Sequence, residues 1–311
     1  MKSQQRKRQV ARLSVLSNSL LVVFKLAVGL MIGAVSVISE AIHSAVDLVA
    51  ALIALFAVKA SGKPADEKHT FGHGKFENLS AAIEGFLIFV AAVWIIVEAV
   101  KKLMYPAPVE AVQWGVIVMA VSATANFIIS NRLFKVGRAT DSAALMADGW
   151  HLRTDVWTSA GVSLGLLLYI LGRYFFPELN LHWVDPVIAL GVAALILKAA
   201  WELTSESIMA LLDSSLPHEE EKLIRSIIES MNPIVLSFHK LKTRKAGADR
   251  FIEFHLVVNK DMSVKAAHDV CDDITLRIKK ELPNAVVMIH TEPCLDNCGG
   301  ICRGTCEIFD E

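Results

Sequence analysis

Residues 36–58 read SVISEAIHSAVDLVAALIALFAV. An apolar run of this length suits a helix that crosses a bilayer, which needs roughly 20 such residues. Glu40, His43 and Asp47 interrupt it. Charged and ionisable groups at membrane depth are costly and mark function by default. His43 and Asp47 lie four residues apart, so they share one helix face. The same spacing returns at His151 and Asp155, in a second apolar stretch that also carries Asp148. If the two helices face each other, two imidazoles and two carboxylates converge. That set suits tetrahedral zinc. Imidazole and carboxylate also accept manganese, iron or cobalt, so ligand type does not select the ion. The plain alternative is a pair of interhelical hydrogen bonds between buried polar groups.

Working outward, six stretches are long and apolar enough to span, near 13–33, 36–58, 79–100, 112–134, 143–171 and 184–204. The whole chain is 54% hydrophobic and 20% charged, and the apolar excess lies before about residue 212. That share exceeds the usual one for a soluble domain. The fold expected is therefore an α-helical membrane domain of six transmembrane helices over 1–212, followed by a small soluble domain over 213–293 and a Cys-rich tail over 294–311. Basic residues precede the first apolar stretch as in a signal peptide, but its length and lack of a small-residue cleavage site read as a retained helix. Lys and Arg near the span ends are unequally shared, and the richer side is expected to be cytoplasmic. Twelve lie on one side (Lys2, Arg6, Lys7, Arg8, Arg12, Lys59, Lys63, Lys68, Lys75, Arg132, Lys135 and Arg138), against Lys101, Lys102 and Arg173 on the other. Both termini and the soluble domain then lie in the cytoplasm. Five cysteines, all in the last third, fit a reducing compartment better than a disulfide framework. A net charge of −1 gives no reason to expect a nucleic-acid partner.

The soluble part reads as α-β-β-α-β, with helices near 218–230 and 263–282 and strands near 234–244, 250–259 and 285–291. This order predicts a small two-layer α+β domain. Its histidines are His239, His255, His268 and His290, with Glu292 on the same strand face as His290. Spread histidines alone read equally as surface residues. In the loop after the second span, Asp66, His69 and His73 sit among glycines that allow a bend. By spacing, they form either a metal clip or a solvated polar loop. Cys294, Cys298, Cys302 and Cys306 recur every four residues, as thiolate ligands or as a redox-sensitive or inert tail. Gly299, Gly300 and Gly304 oppose a free helix there. Glu84 lies deep in the third span and reads as a lining residue of a polar path, Glu98 as one that reaches water, and Asn126 as a polar residue of the fourth span. Lys25 in the first span snorkels or pairs.

These residues together resemble the cation diffusion facilitators, specifically the bacterial zinc/iron efflux type. The resemblance rests on Ser39–Asp47, on Asp66–Lys75 with its Phe-Gly-His-Gly-Lys, on His151–Asp155, on Leu211–Pro217 and on Ile289–Cys294. It implies a homodimeric antiporter in the bacterial inner (plasma) membrane that moves a divalent metal out of the cytoplasm against protons. It implies a transport site at His43, Asp47, His151 and Asp155, and a loop site at Asp66, His69 and His73. It also implies a cytoplasmic site at His239, His255, His268, His290 and Glu292, and an ion pair between Lys75 and Asp213. His43 stands where bacterial zinc/cadmium members often carry Asp, which leans the cargo to zinc, with cadmium, iron, manganese and cobalt as further candidates. The cysteine run is outside the common pattern. Rival classes are a membrane metalloenzyme, which would need a general base such as Glu40 or Glu84 beside an open metal position, and a metal sensor without transport.

Overall fold

In the computed structural model the described residues are 2–32, 35–105, 113–175 and 183–294. The chain divides into two compact units, Met1–Ile208 and Met209–Glu311. The first contains six long helices: α1 (Lys2–Ile32), α2 (Val35–Ser61), α3 (Lys75–Met104), α4 (Gln113–Thr140), α5 (Ala143–Phe175) and α6 (Val184–Leu211). Among the described residues, four of them are long and apolar enough to cross a membrane: Ser3–Met31, Glu40–Ser61, Lys75–Met104 and Pro186–Leu211. The other two, α4 and α5, carry the polar load. Arg132 and Lys135 lie in α4, and Asp148, Arg153 and Asp155 in α5.

The helices outrun the apolar stretches that announce them. α1 starts at Lys2, well before residue 13. Its polar first turns stay helical because one stripe is buried: Ala11 packs with Ala57 and Val58 of α2 and with Leu133 and Leu145 of α4 and α5. Lys7, also buried, donates to Glu77 of α3 at 2.9 Å. The same carboxylate accepts from Ser61 at 2.7 Å and from Ser142, so one glutamate ties α1, α2 and α3 to the start of α5.

Small residues let the helices approach closely, the usual device where lipid removes the hydrophobic drive to associate. Ala81, Ile88 and Ala92 of α3 pack with Ala147 of α5 and with Ile196 and Ala200 of α6. At Gly85 an added Cβ would stand 2.3 Å from Thr204 Oγ1 of α6. α2 packs against α1, α3 and α5, which places its polar face toward α5.

The second unit follows the expected element order: α7 (His218–Glu229), β1 (Val235–Ala246), β2 (Asp249–Val258), α8 (Val264–Glu281) and β3 (Ala285–Pro293). The strands form one sheet in the order β1-β2-β3. β1 and β2 are antiparallel across a turn where Gly247 takes φ +61°, and β3 returns parallel to β2 after α8. Alternation along β2 sends Ile252, Phe254 and Leu256 into a core with Ile224 and Ile228 of α7 and Ile274 and Ile278 of α8. His255 therefore faces the other side of the sheet. β1 runs two residues beyond its expected end and β3 two residues beyond, because ladder pairing with β2 continues to Ala246–Asp249 and Val258–Pro293.

Phe254 is 1% exposed. Truncating it in Phe254→Ala is expected to destabilise this unit by about 3–5 kcal/mol. Amide hydrogen exchange on the full chain would then accelerate through β1–β3 and leave α1–α6 unchanged.

Candidate metal sites

Three groups of His, Asp and Glu side chains converge among the described residues. Around zinc at ligand distances near 2.0–2.1 Å, neighbouring tetrahedral ligand atoms stand roughly 3.3 Å apart.

The first lies between α2 and α5. His43 Nε2 is 4.0 Å from Asp47 Oδ1 and 3.9 Å from Asp155 Oδ1. His151 Nε2 reaches the same Asp47 oxygen at 3.1 Å. The helical repeat explains the arrangement: each His/Asp pair presents one edge, and the contact between α2 and α5 brings the two edges together. Donor atoms of His43, Asp47 and Asp155 thus lie within 4.8 Å of one another, and His151 joins the group through its contact with Asp47. Asp47 and His151 are buried, with side chains 5% and 9% exposed, whereas His43 is 54% exposed. His43 is thus the least buried member of the group. Asn126 of α4 donates to Asp155 Oδ2 at 3.4 Å. This orienting role was not apparent from its position alone, although an amide in an apolar span was the available signal. Glu84 is buried and accepts from Ser80 at 3.2 Å, away from these four ligands, and Glu98 is exposed.

The second group occupies the loop between α2 and α3. Asp66 Oδ1 accepts from the backbone amides of His69 and Lys68 at 2.7 and 3.0 Å. Its carboxylate also meets His69 Nδ1 at 3.2 Å and His73 Nε2 at 3.3 Å. Gly72, at φ +84°, makes the bend that returns His73 to Asp66. The backbone hydrogen bond from His69 is the main reason the Asp66 carboxyl sits below its usual range; desolvation opposes it, and the His69 ring, the Lys68 amide and His73 add to the lowering. His73 is 7% exposed and its Nδ1 has no hydrogen-bond partner among the described residues. The three donors fit a small cation of the zinc class, with a position left for a further ligand.

In the second unit, pairing sets His239, His255 and His290 in one row across β1, β2 and β3. Glu292, two residues beyond His290, leans over that row. Its Oε1 is 2.7 Å from His255 Nδ1 and 3.7 Å from His290 Nε2, and its Oε2 is 3.4 Å from His239 Nε2. A β-bulge follows His239, with Lys240 at φ +52°. Bulges re-aim side chains beside functional sites. Burial alone would raise Glu292. The hydrogen bond to His255, with the nearby charge of His239, His255 and His290, outweighs it and lowers the group. Donor atoms of His239, His255 and Glu292 lie within 4.8 Å of one another, a set that fits a zinc-class ion, with His290 beside it. His268 stands apart on α8, 3.7 Å from Asp272 and 73% exposed. It lines a cleft with Cys271, Thr291 and Glu292.

Cys294 closes β3, its amide donating to the Val258 carbonyl at 2.9 Å. Cys298, Cys302 and Cys306 lie outside the described residues. Lys75 opens α3 in the first unit, while Asp213 in the second accepts from Arg244 at 3.3 Å.

Comparison with known proteins agrees with this architecture. The model of the cation efflux transmembrane domain matches residues 11–212, and that of the cation efflux protein cytoplasmic domain matches 216–294. An uncharacterized transporter of Synechocystis sp. is 37% identical over 88% of this chain and 86% of its own. The cation-efflux pump FieF of Escherichia coli O1:K1 / APEC is 34% identical over 89% of each chain. The metal-bound C-terminal domain of the CzcD transporter from Thermotoga maritima is 30% identical over 25% of this chain and 94% of its own, with a TM-score of 0.23. The helical membrane unit, the α/β unit and the cation-ligand clusters define a membrane transporter of cations. The chain belongs to the cation diffusion facilitator family and is a secondary efflux transporter, not an enzyme.

Because Glu292 is lowered in the folded chain, its contribution to stability is present above the ordinary glutamate range and lost as pH falls through the lowered value. Glu292→Gln is expected to flatten the acid side of the melting-temperature profile of the metal-free protein. An unchanged acid limb would remove Glu292 from the histidine row's electrostatics.

Proposed function

We propose that the chain exports divalent metal from the cytoplasm in exchange for protons, with zinc as the main cargo and cadmium or iron as further candidates. The observation that carries this reading is the convergence of His43, Asp47, His151 and Asp155 between α2 and α5. Two imidazoles make this set less negative than four carboxylates, which disfavours hard cations such as magnesium and favours zinc. A metal can take these ligands only in their deprotonated form, so loading releases protons and unloading takes them up. Exchange between inward- and outward-open states then couples the two flows, because each cargo biases the populations.

In this reading all six helices of residues 1–212 cross the inner membrane, with both termini in the cytoplasm. α5, at 33 residues, is long enough to tilt or extend beyond the bilayer. The loop group Asp66, His69 and His73 then faces the cytoplasm. The domain over 213–293 carries the row of His239, His255 and His290 with Glu292, and acts as the dimerising and metal-sensing part of a homodimer. Its cytoplasmic-domain family match and its assembled donor set support this role. His268, exposed on α8, is available to a site shared between protomers. Lys75 and Asp213 are the residues onto which the family's contact between membrane domains maps, and the tail from Cys294 to Cys306 is an added soft-metal segment.

The test is zinc flux into proteoliposomes under an imposed pH gradient, with counter-flow of protons read by an internal dye. Asp155→Ala is expected to abolish both flows while the protein elutes and melts as the wild type. Normal zinc flux in that variant would sink the site assignment.

A further inference from the structure

A lysine sits deep in the membrane unit beside the His/Asp ligands but outside them. Lys25, about two turns before the end of α1, is 4% exposed. Its ammonium donates to Ser44 Oγ at 2.8 Å and to Glu40 Oε2 at 3.2 Å, both on α2. A buried ammonium stripped of its carboxylate costs several kcal/mol, so Glu40 holds Lys25 in place as much as the reverse.

The pair is lopsided. The Lys25 side chain is 5% exposed and that of Glu40 is 42% exposed. Along α2 the buried end of the polar face is Asp47 and the open end is His43 with Glu40. Glu40, His43 and Asp47 fall at successive turns of one helix face. Glu40 stands about 4.5 Å along the axis beyond His43, at a rise of 1.5 Å per residue. The loop carrying Asp66 leaves the other end of α2, so Glu40 is the rung farthest from that loop.

We propose that Glu40 is an exit ligand for the divalent cation, a carboxylate subsite one turn outward of His43, with Lys25 as the tethered cation that fills it between transport events. The proposal rests on the transport reading of His43, Asp47, His151 and Asp155. Conduction needs sites strong enough to receive an ion and weak enough to release it. A carboxylate already shared with an ammonium has that property. The arriving metal competes with Lys25, which keeps Ser44 as its second acceptor when Glu40 lets go. Departure of the metal restores the pair and closes the way back.

The experiment is zinc flux by the full-length protein in proteoliposomes, with equilibrium zinc binding in detergent as the second readout. Glu40→Gln is expected to slow flux roughly tenfold, the scale of losing one partner around a metal site, with zinc affinity unchanged. The exchange variant Lys25→Glu/Glu40→Lys separates an exit ligand from a purely structural pair. It re-forms the ion pair but puts an ammonium at the mouth, so flux is expected to stay low in a protein that melts as the wild type. Wild-type flux in the exchange variant overturns the proposal, as does wild-type flux in Glu40→Gln, which decides alone if the exchange variant does not fold. Flux lost in Asp155→Ala but retained in Glu40→Gln removes only the exit ligand. Flux retained in Asp155→Ala removes the transport site itself.

Discussion

Taking a carboxylate out of water costs several kcal/mol unless a cation or strong donors go with it. Among the described residues, three sets of carboxylates in the membrane unit have such partners, of two kinds, imidazole and ammonium, whereas the buried Glu84 has the Ser80 hydroxyl. Asp47 and Asp155 are met by the imidazoles of His43 and His151. Glu77 is met by Lys7 and two serine hydroxyls. Glu40 is met by Lys25. The first arrangement alone uses partners of a kind able to ligate a metal ion. The other two use ammonium groups, which cannot bind metal while protonated.

Close helix packing makes these pairings possible. The alanine-rich contacts of α3 with α5 and α6, and the tight approach of Gly85 to Thr204, leave little room for water between the helices. A low local dielectric strengthens each charge pair and raises the cost of leaving one unmatched. The Glu77 node binds the start of α1 and the end of α2 to the starts of α3 and α5, at the end of the unit where the loop carrying Asp66 lies. The His/Asp pairs sit further from that node along α2 and α5.

Much of this was legible in the sequence, for definite reasons. The i, i+4 spacing of His43/Asp47 and His151/Asp155 specifies a shared face whatever the surrounding fold, and the apolar runs specify the helices. Glycines around Asp66, His69 and His73 signalled the bend. Other features had no local signature. The helical start of α1 was hidden because its residues are polar and its stability comes from Ala11 and Lys7 packing against distant helices. The Lys7–Glu77 pair joins residues seventy positions apart, and charges near helix ends ordinarily read as solvated. Asn126 stood out as polar but nothing in sequence tied it to Asp155. In the α/β unit the strands were readable, but the alignment of His239, His255 and His290 depends on register and on the bulge after His239, which alternation alone does not locate.

That register carries one more consequence. Side chains alternate across a sheet with a period of two, so a one-residue slip of any strand turns its inner residues outward. Were β1 to pair one residue out, Phe238 would leave the core side and His239 would turn into it, away from Glu292. The histidine row is therefore assembled only by a correctly threaded sheet. An ion that prefers the assembled row also favours the native strand alignment over its misthreaded neighbours, by mass action. In that sense an ion held by the row would act as a checkpoint on the folding of the domain.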